Sequence, residues 1–328
     1  MDGVIQIILF LLTGFNLSIT FKEGKKIYRF YKDRYKKRSE LKESILNQNK
    51  LLNKILGNLN LIKLKRPLSA KLTEEEAIHF KSLMDKIKLE NTDLYLFIDT
   101  LLEFINKEDI RSFINRVDDL SINYLSFNEI KFQNGTFTVG TYNRQENKIK
   151  IYFDKNNCVL NHELLHAASS GDKSDRVGFS LIFGKVGKFG EGLNEGYTEL
   201  LNQRIFNHPN GSYTYLTVLA ELIENFYENK DDMIKDYFHA DLFALINELL
   251  KSMSLKEAID IITNMDLFLN KNEASFVEFI NLRQKIMRIY ERKFLKEKSF
   301  VKKINHIWQN LTKVTFRDII KHIFKRKW

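Results

Sequence analysis

One cysteine and two prolines in 328 residues set the first limits. With Cys158 alone, no intrachain disulfide can form, and the chain fits a reducing compartment. Prolines occur only at 67 and 209, so little interrupts helical periodicity at either end. No internal repeat and no Walker-type phosphate loop is present, and the glycines between 171 and 196 lack the preceding strand and helix start of a dinucleotide site. A Cys/His nucleophile pair is disfavoured as well: Cys158 stands in the apolar run "CVL", where no helix amino terminus or cation is expected to lower its pKa.

What is present begins with charge. The 52 basic and 42 acidic side chains give +10, a balance that favours anionic surfaces. From Gly3 to Phe21 there is no charged residue, and these 19 positions are long enough to cross a bilayer. Asp2, the missing basic leader and the polar Gln6, Asn16, Ser18 and Thr20 speak against a signal peptide and weaken a spanning helix. A buried first element of the fold remains the equal alternative. Residues 22 to 38 then carry nine Lys/Arg and two acids, which would hold a membrane-anchored chain on the cytoplasmic side. Contact with an anionic membrane surface is the simpler account of this run; stacking and phosphate contacts to nucleic acid are the less favoured one.

Four regions are expected: an apolar segment at 1–21, a basic helical region at 22–120, a catalytic domain at 121–250 and a basic helical region at 251–328. Within the second, Thr73 and Glu76 have capping-box spacing ahead of helical apolar periodicity. Between about 123 and 154 the pattern changes. Asn134-Gly135 separates two apolar runs as in a hairpin, and "NKIKIYFD" alternates as a half-buried strand does. This is the one sheet expected, so the fold class is mainly α with a small β-sheet.

The chemistry centres on "NHELLHAAS", residues 161–169. His162 and His166 lie four apart, on one helix face, where two imidazoles can share a cation. Glu163 adjoins the first of them and can act on water at the metal without binding the ion itself. A third donor is needed from another element, and "GEGLNEGYTELLNQRIF" offers Glu195 and Glu199, again at i, i+4.

Together, HELLH and the Asn194-Glu195 pair resemble the gluzincins, the thermolysin-like and aminopeptidase-like zinc peptidases. The resemblance spans roughly residues 125–250 and extends loosely to HExxH proteins of low-GC Gram-positive bacteria. It implies Zn2+ held by His162, His166 and Glu195, with Glu163 as general base. It also implies Glu199 as the acid orienting a ligand imidazole, and a zincin-like domain whose edge strand, from "TFTVGTY" or "KIKIYF", holds an extended peptide. Two departures stand out: the 28 residues between His166 and Glu195 exceed the family's gap, and no Gly-x-Met-Glu-Asn motif supports an aminopeptidase. The inserted segment is expected to form a flap beside the cleft.

Asp172 competes as third ligand, at the place where metzincin-like peptidases put theirs. Those enzymes need a glycine three residues after the second histidine, and here that residue is Ser169, so Glu195 is preferred. For the developing oxyanion Tyr213, Tyr215 and His239 are the candidate donors; Tyr213 is chosen because it opens a helical stretch just past "HPNGS". His79, His208, His306 and His322 show no ligand spacing. The expected function is zinc-dependent peptide hydrolysis, of endopeptidase type, on a peptide or protein substrate. The alternative is a non-catalytic, metal-stabilised module that binds a membrane or nucleic acid through its basic helices.

Overall fold

A computed structural model describes residues 70–125, 132–133, 136–137, 139–152, 157–171, 175–183, 187–208, 213–269 and 276–294. The apolar and basic runs before residue 70, Asp172 and the basic tail "KHIFKRKW" lie outside them.

Helix α1 (Glu74–Glu90) starts at the capping box: the Glu76 N–H donates to Thr73 Oγ1 at 3.2 Å and the Thr73 N–H to Glu76 Oε2 at 2.7 Å. Such a cap stabilises a helix by about 1 kcal/mol. Asn91 ends α1 and caps α2 (Thr92–Leu102), accepting the Leu94 N–H. Leu94, Phe97, Ile98 and Leu101 then fall on one buried stripe, as 3.6 residues per turn requires. A short α3 (Arg111–Ile114) and a 3-10 turn (Val117–Asp119) lead into the sheet.

Strands β1 (Ser121–Tyr124), β5 (Lys148–Ile151) and β4 (Gly140–Asn143) form a mixed sheet in the order β1-β5-β4, with β5 parallel to β1 and antiparallel to β4. Ile149 and Ile151 of β5 are buried, as their alternation predicts. β2 (Phe132–Gln133) and β3 (Thr136–Phe137) pair antiparallel around Asn134-Gly135, two residues that are themselves outside the described ones. The chain is thus mainly α with a small mixed sheet.

The segment after the HELLH helix departs from expectation. It folds into an antiparallel sheet of β6 (Arg176–Val177), β7 (Ser180–Phe183) and β8 (Gly187–Phe189). Phe179, between two of these strands, is fully buried, with ring centroids 5.5 Å from Tyr197 and 5.6 Å from Tyr237. An apolar anchor inserted in this way ties the described part of the insertion to the core.

Seven longer helices complete the architecture: α4 (Cys158–Ala168), α5 (Glu191–Phe206), α6 (Thr214–Glu224), α7 (Lys230–Phe238), α8 (Leu242–Leu250), α9 (Leu255–Leu269) and α10 (Phe276–Phe294). At the centre, α5 packs on α4, α6 and α9. It is buried nearly all round, so it has no clean amphipathic stripe. Its glycines permit this: a Cβ on Gly192 would stand 2.2 Å from the Met265 carbonyl oxygen, and one on Gly196 2.4 Å from that of Leu216. Asp266 of α9 accepts the N–H groups of Gly190 and Gly192, at 2.9 and 2.7 Å, and so caps α5 from another helix. Burial pushes the Asp266 carboxyl up to about 7, against the pull of these two N–H groups. A continuous apolar core runs from Leu83 on α1 to Ile289 on α10. Among the described residues, no helix is long and apolar enough to cross a membrane.

Candidate metal centre

The helical spacing of HELLH becomes a site because α4 lies between two partners. One side packs on β4 and β5, the other on α5. His162 and His166 project toward α5, their ring centroids 4.9 Å apart, and both are buried. From α5, Glu195 reaches into the same space.

Four candidate donor atoms of three side chains converge there. His162 Nε2 and His166 Nε2 are 3.2 Å apart, Glu195 Oε2 is 3.3 Å from the first, and Glu195 Oε1 is 3.4 Å from the second. Donors bound 2.0–2.1 Å from a tetrahedral zinc ion stand about 3.3–3.4 Å from one another; each imidazole has a Glu195 oxygen at about that distance, and one atom from each residue can be chosen with all three within 4.8 Å of one another. His162, His166 and Glu195 form the one such cluster of ligating side chains among the described residues.

Each ring also has a partner on its far side. His162 Nδ1 lies 3.1 Å from Glu199 Oε2, and Glu199 Oε1 accepts from Gln203 Nε2 at 3.2 Å. A carboxylate there favours the proton on Nδ1, the tautomer in which a deprotonated Nε2 could ligate. His166 Nδ1 faces Asn194 Nδ2 at 3.2 Å and Thr198 Oγ1 at 3.5 Å.

The electrostatics show how strongly this space favours positive charge. Burial opposes protonation of His162, but its bonds to Glu195 and Glu199 outweigh that and raise its pKa to about 10. Burial raises Glu195 too, yet the two imidazoles hold it well below the ordinary carboxylate range.

Glu163 lies apart from the donor cluster. Burial raises its pKa, with His162 and His166 pulling the other way. Its carboxylate tucks under β4, where it accepts the Tyr142 N–H. The strand can approach because residue 140 is glycine: a Cβ there would stand 2.9 Å from Glu163 Oε1 and 2.5 Å from Val159 Cγ1.

Tyr213 stacks on His162, centroids 5.7 Å apart at 28°, and its hydroxyl bonds to Glu195. The negative charge of Glu195, then burial, then Glu163 hold its pKa well above the phenolic value, so it stays a proton donor. The other two donor candidates are engaged elsewhere. Tyr215 stacks on Phe279 at 4.6 Å, and His239 pairs with Asp109 at 3.0 Å. Cys158, contrary to expectation, does occupy a helix amino terminus, as the first residue of α4; its Sγ lies 3.8 Å from Asn202 Nδ2, outside the donor cluster.

Thr198, Tyr237, Tyr142 and Gly140 complete the surroundings without having been singled out in the sequence. Gly140 and Tyr142 do lie in the stretch "TFTVGTY" read as an edge strand, and Thr198, three residues after Glu195, shares that residue's helix face. No family model, no curated protein and no solved structure matches the chain, so its chemistry is read from this geometry alone.

Proposed function

We propose that the protein is a zinc-dependent peptide hydrolase of endopeptidase type, with His162, His166 and Glu195 holding the ion. The observation that carries the reading is two imidazole nitrogens 3.2 Å apart, each with a Glu195 oxygen at 3.3–3.4 Å, beside a buried carboxylate, Glu163, that is not part of the cluster. Three protein donors leave a tetrahedral ion one position for solvent, which favours catalysis over a closed structural site. When bound, the ion supplies a Lewis acid for the scissile carbonyl and lowers the pKa of water toward neutrality.

The chain's own residues do the rest. Glu163 takes a proton from the attacking water on a carboxylate oxygen and passes it to the leaving nitrogen, a role suited by the raised pKa that burial gives it. Glu199 fixes the His162 tautomer. Tyr213, protonated across the neutral range, turns its hydroxyl from Glu195 to the oxygen that gains charge.

β4 offers the place for substrate. Val139, just before it, accepts the Tyr152 N–H, so residues 139, 141 and 143 bond to β5 while Gly140 and Tyr142 turn their backbone groups outward, with the Tyr142 N–H taken by Glu163 and the groups of Gly140 left for a peptide. No further strand pairs there among the described residues. An extended peptide adding to this edge would run past Glu163.

Metal analysis paired with a fluorogenic peptide-library assay tests the proposal. Wild type is expected to hold one zinc and cleave. Glu163→Gln should keep the zinc and lose about 10^2- to 10^4-fold in kcat, the usual contribution of a general base. Absence of zinc in the wild type, or equal activity in Glu163→Gln, overturns the reading.

A further inference from the structure

We infer that Thr198, held in place by Tyr237, is the positioning residue that sets the His166 ring for the metal, an inference that rests on the metal centre proposed above. For His166 to ligate through Nε2, its one ring proton must sit on Nδ1. A buried N–H without an acceptor is costly, so Nδ1 needs one.

Two groups are near enough, and the hydrogen-bond polarity decides between them. Asn194 turns its amide nitrogen to the ring, at 3.2 Å, because its Oδ1 already accepts the Phe179 N–H at 3.0 Å. An NH2 group cannot accept. Rotating the amide would point that NH2 at the buried Phe179 N–H instead, exchanging one donor clash for another.

Thr198 has the acceptor capacity. Its only hydrogen is used on the Asn194 carbonyl oxygen, at 2.7 Å. The Tyr237 hydroxyl, 2.6 Å from Thr198 Oγ1, must therefore be the donor in that pair. One lone pair of Thr198 is left, and His166 Nδ1 lies 3.5 Å away. All three side chains are buried, so water does not compete for these bonds.

A difference between the two ligand rings follows. His162 is supported by a carboxylate, Glu199, and His166 by a neutral hydroxyl. Without the ion, His166 Nδ1 accepts from Asn194. With an ion held by Nε2, the ring proton would sit on Nδ1, where Thr198 rather than Asn194 can accept it.

Thr198→Val, which keeps the shape and removes the acceptor, tests this together with Thr198→Ser, which restores it. Zinc affinity is measured by chelator competition, the geometry by the visible spectrum of the Co2+-substituted protein, and the fold by the melting temperature of the metal-free form. Thr198→Val is expected to lose about 10- to 100-fold in affinity and to shift the Co2+ bands, with the metal-free melting temperature retained. Thr198→Ser should recover wild-type affinity and spectrum. Wild-type affinity and an unchanged spectrum in Thr198→Val overturn the inference while leaving the metal centre standing. A wild type that takes up no zinc overturns both. If Thr198→Val does not fold, Tyr237→Phe decides: weakened affinity supports the role and unchanged affinity removes it.

Discussion

Zinc should bind this protein in competition with a proton, and the structure sets the stoichiometry. In the metal-free site, Glu195 and Glu199 keep His162 protonated up to about pH 10, although the ring is buried. Nε2 cannot ligate while it carries that proton, so below this pH each bound ion should expel one. Glu195, held well below the ordinary carboxylate range, releases none at neutral pH. Affinity, expressed against free Zn2+, should then rise about tenfold per pH unit. From pH 7 to 9 that is about 100-fold, or about 2.7 kcal/mol at 1.36 kcal/mol per decade. Titration calorimetry in buffers of different ionisation enthalpy should count about one released proton per zinc.

The same proton affects the metal-free fold with a definite sign. Because the folded pKa of His162 is raised, its ion pairs contribute fully below the unfolded value of 6.5 and are lost as pH rises toward about 10. The melting temperature of the metal-free protein should decline over that window, and zinc should remove the decline. Zinc affinity independent of pH between 7 and 9 refutes the reasoning, since it means the carboxylates do not hold His162 charged.

Four substitutions probe the rest of the site and its scaffold. Glu195→Ala should bring zinc content from one ion per chain to nearly none by elemental analysis, while Asp172→Ala leaves it at one; the reverse result would transfer the third ligand to Asp172. Gly140→Ala places a Cβ 2.9 Å from Glu163 Oε1, so kcat should fall about tenfold or more with zinc retained, and an unchanged kcat would show that β4 does not position the base. Gly196→Ala forces a Cβ to within 2.4 Å of the Leu216 carbonyl oxygen, and urea denaturation should report a loss of about 1–3 kcal/mol from overpacking between α5 and α6.

What could be read from the sequence was whatever depends on neighbours along one element. Four-residue spacing put His162 beside His166 and Glu195 beside Glu199, and the capping box at Thr73 and Glu76 is likewise a three-residue relation. The β5 alternation and the pairing around Asn134-Gly135 are equally local. What escaped is what depends on partners distant in the chain. Tyr237 meets Thr198 across 39 residues, and Asp266 caps Gly192 across 74. The sheet of β6, β7 and β8 escaped for a related reason: its burial comes from Phe179 docking on Tyr197 and Tyr237, not from a period-2 pattern.

The glycines of "GEGLNEG" illustrate the difference most clearly. Glycine enrichment has two physical sources, backbone freedom and close approach, and composition cannot tell them apart. Gly192 and Gly196 are of the second kind, since backbone oxygens of α9 and α6 fill the space where their Cβ atoms would be. Both flank Glu195 on the same helix, and Asp266 caps that helix in the turn before it. Glu195 is thus carried by a helix packed against the backbones of α6 and α9, and its position is set by the core around it. A rigid mount of this kind holds the Glu195 carboxylate 3.3–3.4 Å from the two imidazoles, so little ordering would remain to be done on binding the proposed ion.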